Sequence, residues 1–143
     1  MLKQVSLLWE QNKEILRARF THKDEWFNYE DLVKMIVQSI LNEPKDIWDF
    51  THITEIDDGH YQGTLLYLIP VNIYQPGAND YLITAVEYGS CTVCDTLQAA
   101  HNQVGEDRVN ALMTLSLHIC QHIKKPYPGG WHSEYDEVME GEL

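Results

Sequence analysis

The sequence predicts a single α+β domain, a three-stranded antiparallel sheet with N-terminal helices before it and a C-terminal helical hairpin after it. Three observations lead there. Apolar residues recur at helical spacing near both ends of the 143-residue chain. In the middle they alternate or run together as in strands. Asp57-Asp58-Gly59 and Gln75-Pro76-Gly77 punctuate that middle as turns. A chain of this length buries roughly two-thirds of its unfolded surface, so it needs neither a disulfide nor a metal to fold. Residues 1–128 read as the domain and 129–143 as an acidic C-terminal tail.

Val5, Leu8, Trp9, Leu16 and Phe20, with charges between them, predict an amphipathic helix over residues 2–20. Asn28 suits an N-cap, and Asp31 falls in the following first turn, where the helix dipole favours an acid. Leu32, Val33, Ile36, Val37 and Ile40 give that helix an apolar face, and Asn42-Glu43-Pro44 ends it. Ile53–Ile56 and Tyr61–Val71 flank the Asp-Gly turn as a hairpin. Tyr81–Tyr88 is the third strand. Its apolar residues point both ways (Leu82, Ile83, Ala85, Val86), as expected of a central or well-covered strand. A short helix is expected over 92–102, a turn at Gly105, and a longer helix from Asp107 to Ile123. The core stripe of that helix is Val109, Leu112, Met113, Ser116, Cys120 and Ile123. Pro126, Pro128, Gly129 and Gly130 are expected to break regular structure, with Trp131, Tyr135 and Val138 available to dock the tail.

Charge narrows the partners. The net charge is −12. Residues 1–23 hold five bases against two acids, a cationic surplus at the N-terminus. From residue 46 to 107 there are ten acids and no Lys or Arg, and residues 129–143 add five acids without a base. Phosphate backbones require clustered cations, so direct nucleic-acid binding by the body is not expected. The longest apolar stretch, Thr64–Val71, is far short of the ~20 residues of a membrane helix. The charged start after Met1-Leu2-Lys3 has no apolar signal region, and three cysteines are an odd number, so a reducing cytoplasm is expected.

Cys91 and Cys94 form a C-x-x-C where the third strand hands over to a helix. That placement serves a thiol–disulfide redox couple, a cysteine nucleophile or a metal site. The redox reading needs a thioredoxin-like βαβ setting, and only helices are expected downstream. The nucleophile reading needs a partner histidine, and those available read as helical. The metal reading draws on His118 and His122, four residues apart on one helix face. A helical hairpin turning near residue 104 brings Cys91 level with about residue 117, making Cys91, Cys94, His118 and His122 a Cys2His2 set for zinc. Against it stands plain burial of small thiols, with the histidines at a helix C-terminus where positive charge is favoured. Cys120 belongs to the core stripe. Asp57, Asp58 and His60 offer a second cation site or a solvated hairpin tip, and Tyr61, Tyr67, Tyr74, Tyr81 and Tyr88 offer a binding face or ordinary sheet packing.

The segment Tyr88-Gly89-Ser90-Cys91-Thr92-Val93-Cys94-Asp95-Thr96-Leu97-Gln98, ahead of a helix carrying Leu117-His118-Ile119, resembles a family of small proteins of bacteriophages and prophages of Gram-positive bacteria with a Y-G-S-C-x-x-C-D-x-L core. Asp57-Asp58-Gly59-His60-Tyr61-Gln62-Gly63-Thr64 is similar to theirs as well, so the likeness spans roughly residues 50–123. The resemblance implies a phage or prophage setting inside a bacterial host, directs attention to Cys91, Cys94 and Asp95, and carries no mechanism. The function expected first is a non-enzymatic phage accessory protein that binds another protein, with zinc as the one cofactor in view. The alternatives are a thiol–disulfide redox protein using Cys91 and Cys94, and an acidic nucleic-acid mimic that inhibits a basic protein.

Overall fold

A computed structural model describes residues 1–23, 25–43, 45–58, 64–77, 79–87, 96–127 and 130–132. Helix α1 (Lys3–His22) buries Val5, Trp9, Leu16 and Phe20, as their spacing predicts, and one polar residue, Asn12. Helix α2 (Tyr29–Ile36) opens with a capping box. The Asp31 amide donates to Asn28 Oδ1 at 2.8 Å, and the Asn28 amide donates to Asp31 Oδ2 at 3.3 Å. Beyond Ile36 the helix widens into a π-turn (Val37–Leu41), with the Asn42 amide reaching back to the Val37 carbonyl at 2.8 Å. The Asn12 side chain explains how this ending is tolerated in a packed interior. Its Nδ2 donates to the Ile40 and Glu43 carbonyls at 3.0 and 3.1 Å, satisfying two acceptors at the helix terminus.

A short 3-10 turn (Phe50–His52) leads into β1 (Thr54–Asp58), followed by β2 (Thr64–Pro70) and β3 (Tyr81–Glu87). The three strands form the expected antiparallel sheet in the order β1-β2-β3, with Glu55 opposite Tyr67 and Tyr67 opposite Thr84. β2, not β3, is therefore the central strand. Alternate residues face the helices: Leu65, Tyr67 and Ile69 from β2, with Leu82, Thr84 and Val86 from β3. Ile83 and Ala85 on the other face are half-buried.

The predicted C-terminal hairpin is present. Helix α3 (Thr96–His101) packs on α4 (Gly105–Gln121), whose first residue, Gly105, has φ 59° where the chain leaves the turn. That left-handed backbone is the conformation glycine adopts without strain. All six residues of the predicted core stripe are buried, five on α4 and Ile123 just past its end, since the helix stops at Gln121 rather than Ile123. α4 is tied beneath the sheet by Thr84, whose Oγ1 donates to the Ile119 carbonyl at 2.9 Å.

The segment after Lys124 is a correction to the sequence reading. Lys125–Tyr127 (β4) and Gly130–His132 (β5) pair as an antiparallel ribbon where no regular structure is expected. Lys124 also exchanges backbone hydrogen bonds with Ile83 on the outer edge of β3, at 2.8 and 2.9 Å. Prolines break central strands because they donate nothing to the ladder, but an edge ribbon of three residues a side accommodates Pro126. Residues 130–132, placed in the acidic tail by their sequence, thus pair with β4.

Candidate functional site

Of the four residues expected to hold zinc, Cys91 and Cys94 lie outside the described residues, as does Asp95. His118, in the last turn of α4, and His122, its C-cap, are both exposed and stand four residues apart, as their spacing predicts. Both line a cleft of about 250 Å³ with Thr64 at the start of β2, Ala85 and Val86 near the end of β3, Thr96 at the start of α3, and Leu115 and Ile119 of α4. His122 Nδ1 lies 2.7 Å from the His118 carbonyl oxygen. Among the described residues, no group of three or more His, Cys, Asp or Glu side chains is placed to hold a metal ion. Cys120 is fully buried, and burial pushes its thiol up to about 12, so it stays protonated and unreactive at neutral pH.

The other sequence candidates separate. Asp57 is exposed, while His60 and the Asp58 side chain fall outside the described residues. Tyr67 is completely buried and donates from its hydroxyl to Glu55 Oε2 at 2.9 Å, whereas Tyr74 is 91% exposed. The tyrosines therefore do not share one face. Asp49, Thr51 and His52 have the residue types of a catalytic relay. However, Asp49 Oδ2 and Thr51 Oγ1 both meet the same imidazole nitrogen, Nδ1, at 2.6 and 3.0 Å. A relay needs the nucleophile on the other ring nitrogen. Asp49 instead caps the 3-10 turn, accepting from the Thr51 amide at 3.0 Å, and the Thr51 hydroxyl, then the His52 imidazole, hold its carboxyl below the ordinary value.

Two surfaces escape a reading of spacing alone. The first is a tip where the 45–48 and 71–77 loops meet. The Asn72 amide donates to the Ile47 carbonyl, and the Asp49 amide to the Pro70 carbonyl, each at 2.8 Å. Asn42 holds the first loop from behind, donating to the Trp48 carbonyl and accepting from the Trp48 amide, both at 2.8 Å. This leaves Ile47, Ile73 and Tyr74 exposed on adjoining segments, with Asp46 and Asp49 beside Ile47 in sequence. Gln75 follows at φ 55°, a left-handed backbone that costs a non-glycine residue about 1 kcal/mol.

The second is the α1–α2 connection. Buried Arg108 donates to the Phe20 and Lys23 carbonyls at 3.1 and 2.7 Å. His101 Nε2 lies 3.0 Å from the Phe27 carbonyl oxygen, and its ring meets Phe27 edge-on. Trp26 remains 65% exposed beside His101, above a groove that also holds Arg19, Lys23 and Lys34.

The chain matches no protein-family model, no curated protein and no solved structure. Among the described residues, no helix is long and apolar enough to cross a membrane.

Proposed function

We propose that this chain is a non-enzymatic protein-binding module that grips a basic partner with the Ile47–Ile73–Tyr74 tip, in the phage setting that its sequence resemblance implies. The observation that carries the reading is the tip itself. Three large apolar side chains are held outward on two loops that backbone hydrogen bonds and Asn42 lock together. Exposed aliphatic and aromatic residues grouped this way are the composition of an interface centre, and tyrosine is among the residues that dominate binding energy. The strained backbone at Gln75 supports the same reading, because a costly conformation persists where the surroundings hold it for use. Charge supplies the partner's chemistry. The tip lies in the part of the chain with ten acids and no Lys or Arg, so a cationic surface approaches it favourably and an acidic one is repelled.

The test is affinity capture from a Gram-positive bacterial lysate with the wild-type chain and the Ile73→Asp and Tyr74→Ala variants. The expected result is one basic protein retained by the wild type, released by about 0.5 M salt, and bound about 30-fold more weakly by Tyr74→Ala, a hot-spot loss of ~2 kcal/mol. Both substitutions are at exposed positions, so melting temperatures stay close to wild type. Equal retention by all three chains overturns the assignment of the tip, and capture that survives high salt overturns the charge argument.

A further inference from the structure

The cleft at the C-terminal end of α4 carries two exposed imidazoles that the partner-binding tip does not use. His118 and His122 stand one helical turn apart, which sets their Cβ atoms about 5–6 Å from each other on one face. Two imidazoles so placed can each reach one ion at the ~2.0–2.1 Å of a zinc–nitrogen bond.

The hydrogen bonding favours this use. A carbonyl only accepts, so His122 Nδ1, 2.7 Å from the His118 oxygen, carries a proton, and in the neutral imidazole that binds metals Nε2 keeps its lone pair. Metal-binding histidines are commonly oriented in this manner, by giving their other N–H to a backbone carbonyl. The carbonyl in question belongs to the last turn of α4, the negative end of the helix dipole, where a cation is stabilised. The His118 ring makes no hydrogen bond among the described residues, so no competing partner there has to be displaced. Both side chains are exposed along a cleft of about 250 Å³, which leaves room for further donors around an ion.

We propose that His118 and His122 chelate a divalent transition-metal ion of the zinc class at this cleft, His122 binding through Nε2. A neutral imidazole pair selects such ions over magnesium or calcium, which prefer oxygen.

The experiment is calorimetric titration of the metal-free, untagged full chain with Zn²⁺, with Co²⁺ as the spectroscopic probe. One ion per chain is expected, with a micromolar or tighter dissociation constant. His118→Gln and His122→Gln should each weaken binding at least about tenfold, a loss that even removing an outer-shell partner can bring. Both substitutions are at exposed positions, and circular dichroism and melting verify that the variants fold. The ¹⁵N shifts of His122 should move at Nε2 on adding Zn²⁺ while Nδ1 stays protonated. Cys91→Ser/Cys94→Ser supplies the contrast. Binding lost in that double variant but unchanged in both histidine variants overturns the proposal, as does wild-type binding no tighter than millimolar. Ile73→Asp should bind Zn²⁺ like the wild type, which separates this result from the fate of the tip.

Discussion

Asn12 shows how one side chain can decide an element far from it in sequence. It lies on the buried face of α1, where its neighbours in the stripe are Val5, Trp9, Leu16 and Phe20. Its amide donates to two carbonyls, Ile40 and Glu43, at the end of the π-turn 28 and 31 residues away. Replacing it with leucine keeps the volume and improves the hydrophobic stripe, yet strands the buried Ile40 acceptor and the part-buried Glu43 one. An unsatisfied buried group costs about 1–3 kcal/mol, against ~1 kcal/mol of added apolar burial. At the middle of that range the polar loss wins, so Asn12→Leu should destabilise the chain by about 1 kcal/mol in urea unfolding with an unchanged m-value. Asn12→Asp should be worse, because a carboxylate faces two carbonyls and donates to neither. A leucine variant as stable as wild type would mean that water satisfies the π-turn instead. Cys120 is the converse case: its place in the stripe was readable from period alone, and burial fixes both its packing and its chemical inertness.

Among the elements, the α1–α2 connection has a stability that depends on pH near neutrality. Burial lowers the His101 imidazole below its ordinary value of 6.5, the Phe27 carbonyl pulls partly in the other direction, and the Arg108 charge adds to the lowering. The unfolded chain therefore takes up this proton at a higher pH than the folded one. Stability should fall as the pH drops through about 6.5 and level off below the folded-state value. His101→Gln keeps a donor for the Phe27 carbonyl and removes the titration. Thermal melts from about pH 7.5 to about pH 5.5 should show a shallower decline for the variant, and equal slopes would exclude His101 as the cause. The same connection marks what was legible in the sequence. α1, the Asn28 cap, the three strands and α4 rest on local period and turn chemistry, and they could be read. The Arg108 clamp joins residues 85 and 88 positions apart, and the β4–β5 ribbon depends on an edge that exists only once β3 is in place. His118 and His122 were legible as a pair because four residues make a helical turn. The tip was not, since Ile47 and Ile73 adjoin only through the pairing of two loops and their exposure has no period.

Across the whole molecule, the uneven charge makes folding and binding respond oppositely to salt. The described ion pairs of Lys and Arg, Lys13–Glu10, Arg17–Glu14, Lys23–Glu25 and Lys34–Glu30, all lie in the N-terminal part of the chain. Such surface pairs contribute a few tenths of a kcal/mol each, so screening them costs little. Residues 46–107 have ten acids and no Lys or Arg to balance them, and with a net charge of −12 the self-repulsion outweighs those pairs. Raising NaCl from about 10 mM to about 0.15 M shortens the screening length from ~30 to ~8 Å, which relieves that repulsion. The melting temperature should rise over this range, while capture of a basic partner at the tip should weaken over the same range because the attraction is screened too. A falling melting temperature would mean that the ion pairs outweigh the repulsion and that the acidic half is compensated in the fold. The opposite signs matter for the interface: a complex that weakens while its binding module becomes more stable cannot be weakening through unfolding, which leaves charge complementarity as the cause.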